Sequence, residues 1–202
     1  MRSIEWKIAM ASAGALVALA AAAPASAALI GADTIKISLA SGPNYLQVAE
    51  VVATQSGTGT DVALAANGAT ASAPNQYAAA APGYAIDGNV GGNYYTDGIY
   101  HSAGAAGDYL LVTLAAPANL SSLTIYGRTD CCTDRDNYQV VIDNAAGQQI
   151  YSGVLDGTQN PVVTVNFPGG VPEPATWSLM ILGVAGIGAS LRSRRRMAPV
   201  AL

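Results

Sequence analysis

Positive charge is nearly missing from the middle of this 202-residue chain. Between residues 28 and 170 the only basic residues are Lys36, Arg128 and Arg135, against eleven Asp or Glu, a balance of −8. That sign excludes a basic footprint for nucleic acid, which is not an expected partner. Histidine occurs once, as His101, and cysteine twice, as the neighbours Cys131 and Cys132. No paired zinc-type cysteines and no Gly-rich phosphate loop appear. Both tryptophans, Trp6 and Trp177, lie near the ends, so the middle has no Trp platform for a sugar ring. No nucleophile set and no paired catalytic carboxylates stand at recognisable positions, so the chain is not expected to be an enzyme. Metal cations and neutral ligands stay open.

Long apolar runs, by contrast, occur at both ends. Arg2 and Lys7 precede an uncharged block over residues 8–23, and Ala25-Ser26-Ala27 follows it. A positive start, an apolar core and a small-residue cleavage pattern predict a secretory signal peptide over 1–27, helical in its core. An uncleaved membrane anchor is the alternative. At the other end Pro172-Glu173-Pro174 should stop the fold, because proline continues neither strand nor helix. An apolar run over 175–191 is long enough for a short transmembrane helix. Arg192, Arg194, Arg195 and Arg196 would then stay on the cytoplasmic side. The order Pro-Glu-Pro, short span, Arg cluster over 171–196 resembles the PEP-CTERM sorting signal of exopolysaccharide-producing Gram-negative bacteria. The resemblance implies processing by an exosortase, a transient inner-membrane anchor, and then display at the cell surface or release into the matrix. Residues 197–202 form a tail.

The middle, 28–170, reads as one all-β domain. Ile35, Ile37 and Leu39 alternate along TIKISL, and Val163, Val165 and Phe167 along VVTVNF. Residues 45–52, 108–114, 121–126 and 137–142 are further strand candidates, separated by Gly, Asn, Asp and Pro clusters. The Ala-rich stretch 62–82 has no clear helical face and contains Pro74 and Pro82. These features predict an antiparallel β-sandwich of the jelly-roll kind.

One segment, RTDCCTDR over 128–135, holds two of the three cations and both cysteines. Arg presents donors in a rigid planar fork, which Asp130 could hold in place for Arg128. His101 can donate or accept a hydrogen bond. Such groups around a small concavity suit a neutral polyol with adjacent hydroxyls. Neighbouring cysteines lie closer than the usual disulfide range, yet neither has another partner in the chain and export implies an oxidising compartment, so a vicinal disulfide is expected. The plainer alternatives stay open. Arg128 and Asp130 could be an exposed ion pair worth about 0–1 kcal/mol. His101 could be a satisfied loop residue, and the cysteines could pair between molecules or form a metal or redox site.

His101 and Arg128 are separated by twenty-six residues, and Asp130 and Arg135 follow in register. This spacing, with AIDGN upstream at 85–89, resembles the F-type lectin (fucolectin) domain, a branch of the galactose-binding-like jelly rolls. The resemblance implies that His101, Arg128 and Arg135 hydrogen-bond an α-L-fucose unit, that Asp130 orients Arg128, and that a Cys131–Cys132 disulfide packs on the sugar's apolar edge. Tyr94 or Tyr95 is the counterpart of the family's aromatic near the sugar methyl. The resemblance also implies a structural Ca²⁺ held by Asp87 with the carbonyls of Tyr84 and Asn89. Gly98 replaces an expected serine. The family's last carboxylate comes from a closing strand of the form LCEVEV, and no strand of that form follows residue 142. Residues 45–52 resemble that strand instead, which puts Glu50 at the last ligand position and implies a circularly permuted order. The alternative for Glu50 is a solvated strand residue.

Two readings of function follow. One is an exported lectin for fucosylated glycans or exopolysaccharide. The other is a structural biofilm-matrix or adhesion protein whose sugar site is vestigial. A glycosidase is disfavoured because no carboxylate pair can be proposed.

Overall fold

The computed structural model describes residues 29–167 and 183–184. The signal segment 1–27 and the Pro172-Glu173-Pro174 tail with its apolar run lie outside the described residues, apart from the exposed pair 183–184. No helix among the described residues is long and apolar enough to cross a membrane.

Nine strands run along the described residues: β1 Leu29–Leu39, β2 Gln47–Val48, β3 Glu50–Gln55, β4 Thr70–Ser72, β5 Tyr100–His101, β6 Tyr109–Tyr126, β7 Asn137–Asn144, β8 Gln149–Asp156 and β9 Val162–Asn166. Short 3₁₀ turns at Ala65–Asn67, Pro82–Ile86 and Thr133–Arg135 are the helical elements between them. Seven strands form an antiparallel sheet in the order β3-β6-β1-β7-β8, with β4 and β9 also paired to β6. The expected all-β class is therefore present.

The sheet turns on β6. The expected strands 108–114 and 121–126 are one 18-residue element. Its first part pairs with β1 and β4, and its second with β3 and β9. Thr34 faces Thr113 while Ala32 faces Ala118, so β6 carries a large bulge between its halves. A bulged strand that changes neighbours in this way is how a sandwich turns a corner. Both halves feed one core: Leu110 and Val112 from the first and Leu123 and Ile125 from the second are buried with Ile35, Ile37, Val51, Val140 and Ile142. Together these strands of one antiparallel sheet cover a single hydrophobic interior.

The expected strand 45–52 is divided. Gln47–Val48 pairs with β5 in a separate two-stranded ribbon, and Glu50–Gln55 joins β6 in the main sheet. The break falls at Ala49, whose N–H still donates to the Tyr126 carbonyl at 2.7 Å. Strand β8 has no counterpart among the sequence-predicted strands. It lies at the sheet edge with alternating exposure, and Ser152 and Gly153 interrupt its apolar period.

Candidate functional site

Antiparallel pairing sets a residue and its cross-strand partner on one face. In the small ribbon Gln47 is the partner of His101. Their side chains meet accordingly, Gln47 Nε2 to His101 Nε2 at 2.7 Å, while His101 Nδ1 lies 2.8 Å from the Ser102 carbonyl. A carbonyl only accepts, so Nδ1 carries the proton and Nε2 accepts from the Gln47 amide. Both ring nitrogens are thus engaged inside the protein. Burial, with the nearby Arg128 and Arg135 charges, holds the His101 pKa below its ordinary value and the ring neutral.

Three tyrosine rings enclose that imidazole. Tyr45 and Tyr77 have their centroids 5.1 Å from it, and Tyr94 lies edge-on at 5.5 Å. The two cations stand on the same rings: the Arg128 guanidinium is 4.8 Å from the Tyr94 centroid and the Arg135 guanidinium 5.2 Å from that of Tyr45. The structure therefore brings His101, Arg128 and Arg135 to one aromatic-lined place.

Arg128 follows the end of β6 and is 7 % exposed. Its Nε and Nη2 donate to the two carboxylate oxygens of Asp130 at 2.9 and 2.7 Å. Asp130 also accepts from the Tyr94 N–H at 2.8 Å. These bonds, the guanidinium's first of all, hold the Asp130 carboxyl down to about 2. The exposed-pair alternative is thereby set aside: this is a bidentate pair at least largely shielded from water. Three N–H groups of Arg128 remain beyond those given to Asp130.

Cys131 and Cys132 are joined by a disulfide, and no described cysteine is free. Cys132 has φ +67°, a left-handed backbone unusual for a side-chain-bearing residue. It caps the 3₁₀ turn that carries Arg135. The Arg135 Nε is buried with no partner among the described residues. Behind the turn, Asp136 is fully buried, and its Oδ1 lies 2.8 Å from the Tyr138 hydroxyl, which also faces the Gln47 carbonyl at 3.0 Å. Desolvation pushes the Asp136 pKa up to about 7. The Tyr138 hydroxyl thus stands between two acceptors, Asp136 Oδ1 and the Gln47 carbonyl, while Asp136 Oδ2 is buried with no partner among the described residues. Gly127 is required at the foot of this array, since a Cβ there would lie 2.7 Å from the Tyr138 hydroxyl and closer still to Asp136.

Glu50 opens β3 opposite Tyr126 and is fully buried, not solvated. Its Oε1 accepts from the Gly88 N–H at 3.2 Å and its Oε2 has no partner among the described residues. Desolvation, with the Asp87 and Asp61 charges, pushes its pKa up to about 8. Asp87 Oδ1 accepts from the Asn89 N–H at 2.8 Å, and Asn89 Nδ2 donates to the Asp97 carbonyl at 2.6 Å. No group of three or more His, Cys, Asp or Glu gathers among the described residues. A cation here would rest on Glu50, Asp87 and main-chain carbonyls such as those of Tyr84 and Asn89. An orphaned, buried carboxylate oxygen beside a second carboxylate suits a hard cation. At Gly98 φ is +74° and a Cβ would lie 3.0 Å from the Tyr84 ring, so a serine there would be strained.

Sequence reasoning missed Gln47, Tyr45 and Tyr77. The alternation of YLQVAEVV marks Gln47 only as a strand residue, and nothing in the sequence pairs it with position 101.

Residues 170–196 match the family model of the PEP-CTERM protein-sorting motif. The chain is thus an exported protein with an exosortase as processing partner, anchored transiently through its C-terminal region. No curated protein and no solved structure matches the chain.

Proposed function

We propose that the domain spanning about 28–170 is a lectin of the F-type kind, a galactose-binding-like jelly roll in a permuted strand order. It binds α-L-fucose-type glycans or fucose-containing exopolysaccharide without turning them over. The observation that carries this reading is the convergence of His101, Arg128 and Arg135 on one tyrosine-lined place beside the Cys131–Cys132 disulfide. The family's residue spacing and this convergence are independent of each other, since the one is linear and the other spatial.

The roles within the site are uneven. Arg128, clamped by Asp130, supplies preorganised donors to sugar hydroxyls, and Arg135 supplies a second set. His101 has both nitrogens engaged by the protein, so it acts mainly as the packed centre that spaces the two cations. The disulfide and the edges of Tyr94 and Tyr95 offer apolar contact to a methyl group. Ca²⁺, held by Glu50, Asp87 and the Tyr84 and Asn89 carbonyls, would neutralise the buried carboxylate and brace the loop 84–98. The processed protein resides at the cell surface or in the extracellular matrix of a Gram-negative bacterium.

Titration of the full chain with L-fucose, with and without a chelator, tests this proposal. Saturable binding lost in Arg128→Ala is expected; no binding by the wild type would overturn it. The engaged state of His101 favours a second reading, a matrix or adhesion protein with a vestigial site. Matrix retention untouched by loss of Arg128 and Arg135 would support that one.

A further inference from the structure

A hollow adjoins the cluster. It is an open groove of about 420 Å³, lined by Ala79, Tyr84, Tyr94, Tyr95, Thr96 and Gly98 among others. That volume falls in the range of small-molecule sites, roughly 300–1,000 Å³. Its lining carries no charged side chain, which suits a neutral occupant. Three tyrosines give it flat apolar faces with hydroxyl tips, a pairing that suits a ring with one apolar and one hydroxylated side. Tyr95 is 81 % exposed, a large aromatic surface left to water. Gly98 lets the Tyr84 ring lie close against the main chain, where a side chain would push it away.

The groove is continuous with the cluster. Tyr94 and Tyr95 form an edge-to-face pair at 5.2 Å, and the Arg128 guanidinium lies 4.8 and 5.9 Å from their two centroids. The same two rings are therefore the wall of the groove and the floor beneath Arg128. A ligand held by Arg128 that extends by one unit runs along this wall.

We infer that the groove along Tyr84, Tyr94 and Tyr95 is a second subsite, which takes the neutral sugar residue next to the one held at Arg128. The inference rests on the lectin reading. It makes the protein a reader of a disaccharide at least, not of a terminal monosaccharide.

The test is calorimetric titration of the full chain with methyl α-L-fucoside and with fucosyl disaccharides carrying galactose or N-acetylglucosamine. One disaccharide is expected to bind about tenfold tighter than the monosaccharide. Ala79→Trp, which fills the groove from an exposed position, should erase that gain and leave the monosaccharide affinity within about twofold. In wild-type protein, saturation-transfer NMR should mark the second ring through tyrosine protons, a readout that does not depend on the variant folding. Monosaccharide binding with no disaccharide gain and no transfer to the second ring overturns the subsite alone. A gain that persists in folded Ala79→Trp, or monosaccharide binding lost in it, also overturns the subsite. Failure of every sugar to bind overturns both the subsite and the lectin reading.

Discussion

Two buried charged regions lie near the same end of the sheet, and they are built on opposite terms. Around Arg128 the charge is paired: a bidentate carboxylate and two aromatic rings hold the guanidinium, which keeps three N–H groups beyond those given to Asp130. Around Glu50 it is not: one carboxylate oxygen has no partner among the described residues, and the Asp87 and Asp61 charges repel it. A buried charge without a partner takes up a proton or a cation. The first region is thus ready for a neutral ligand, and the second waits for a positive one.

The largest effect should come from breaking the satisfied side. Arg128→Ala removes the donors and leaves Asp130 with only the Tyr94 N–H. Glycan binding should fall at least about 100-fold, equivalent to about 3 kcal/mol, read by titration with L-fucose. Asp130→Asn keeps the shape but not the charge that steadies the guanidinium, and should cost about tenfold. If binding by Arg128→Ala matches wild type, the completed cluster is only structural.

The unsatisfied side answers to pH and calcium. With its pKa raised from 4.5 to about 8, Glu50 contributes stability that is present below about pH 4.5 and is lost as pH rises towards 8. Chelated protein should therefore melt lower at pH 8 than at pH 5, and Ca²⁺ should restore the difference at the upper end while releasing a proton. Glu50→Gln should flatten much of that fall and abolish the calcium response, as followed by calorimetry. Asp136, raised to about 7, leaves a residual slope of the same sign at lower pH. A calcium response that survives in Glu50→Gln would place the cation elsewhere.

The disulfide tests a smaller difference between the regions, because it touches only the first. It closes no loop between neighbours, so reduction should change stability by under about 1 kcal/mol. It does hold Cys132 left-handed ahead of the turn that carries Arg135. Reduction should weaken sugar binding several-fold by loosening Arg135, and leave the calcium response unchanged.

How much of this the sequence discloses differs between the two regions as well. The cationic cluster is compact in the chain, with Arg128, Asp130, the cysteines and Arg135 inside eight residues, so composition alone exposes it. Glu50 lies far from Asp87 and looks like any polar strand residue. Only a resemblance pointed to it, and only the β3–β6 pairing with its burial gives it a physical reason. The same distinction holds for the fold. Alternation marks β1, β7 and β9, whose apolar faces are regular. It misplaces the ends of β6, because Pro117 and Asn119 read as a break where the strand merely bulges, and it misses β8, whose edge position asks for little apolar surface. Gln47 is hidden for another reason: its significance is a cross-strand partner fifty-four residues away.

The smallest expected effect sets the two regions directly against each other. His101 has its pKa lowered by burial and by the flanking guanidiniums, so the folded protein resists a proton that the unfolded chain accepts. Its contribution is present above about pH 6.5 and is lost as pH falls below that, opposite in sign to Glu50. In chelator, the melting temperature should therefore rise on one limb and fall on the other, with His101 contributing to the acid limb and Glu50 to the alkaline one. His101→Gln should flatten the acid limb while sparing the alkaline one, and Glu50→Gln should do the reverse. If both variants flatten the same limb, the two regions titrate as one network and the division between a satisfied and an unsatisfied charge is wrong.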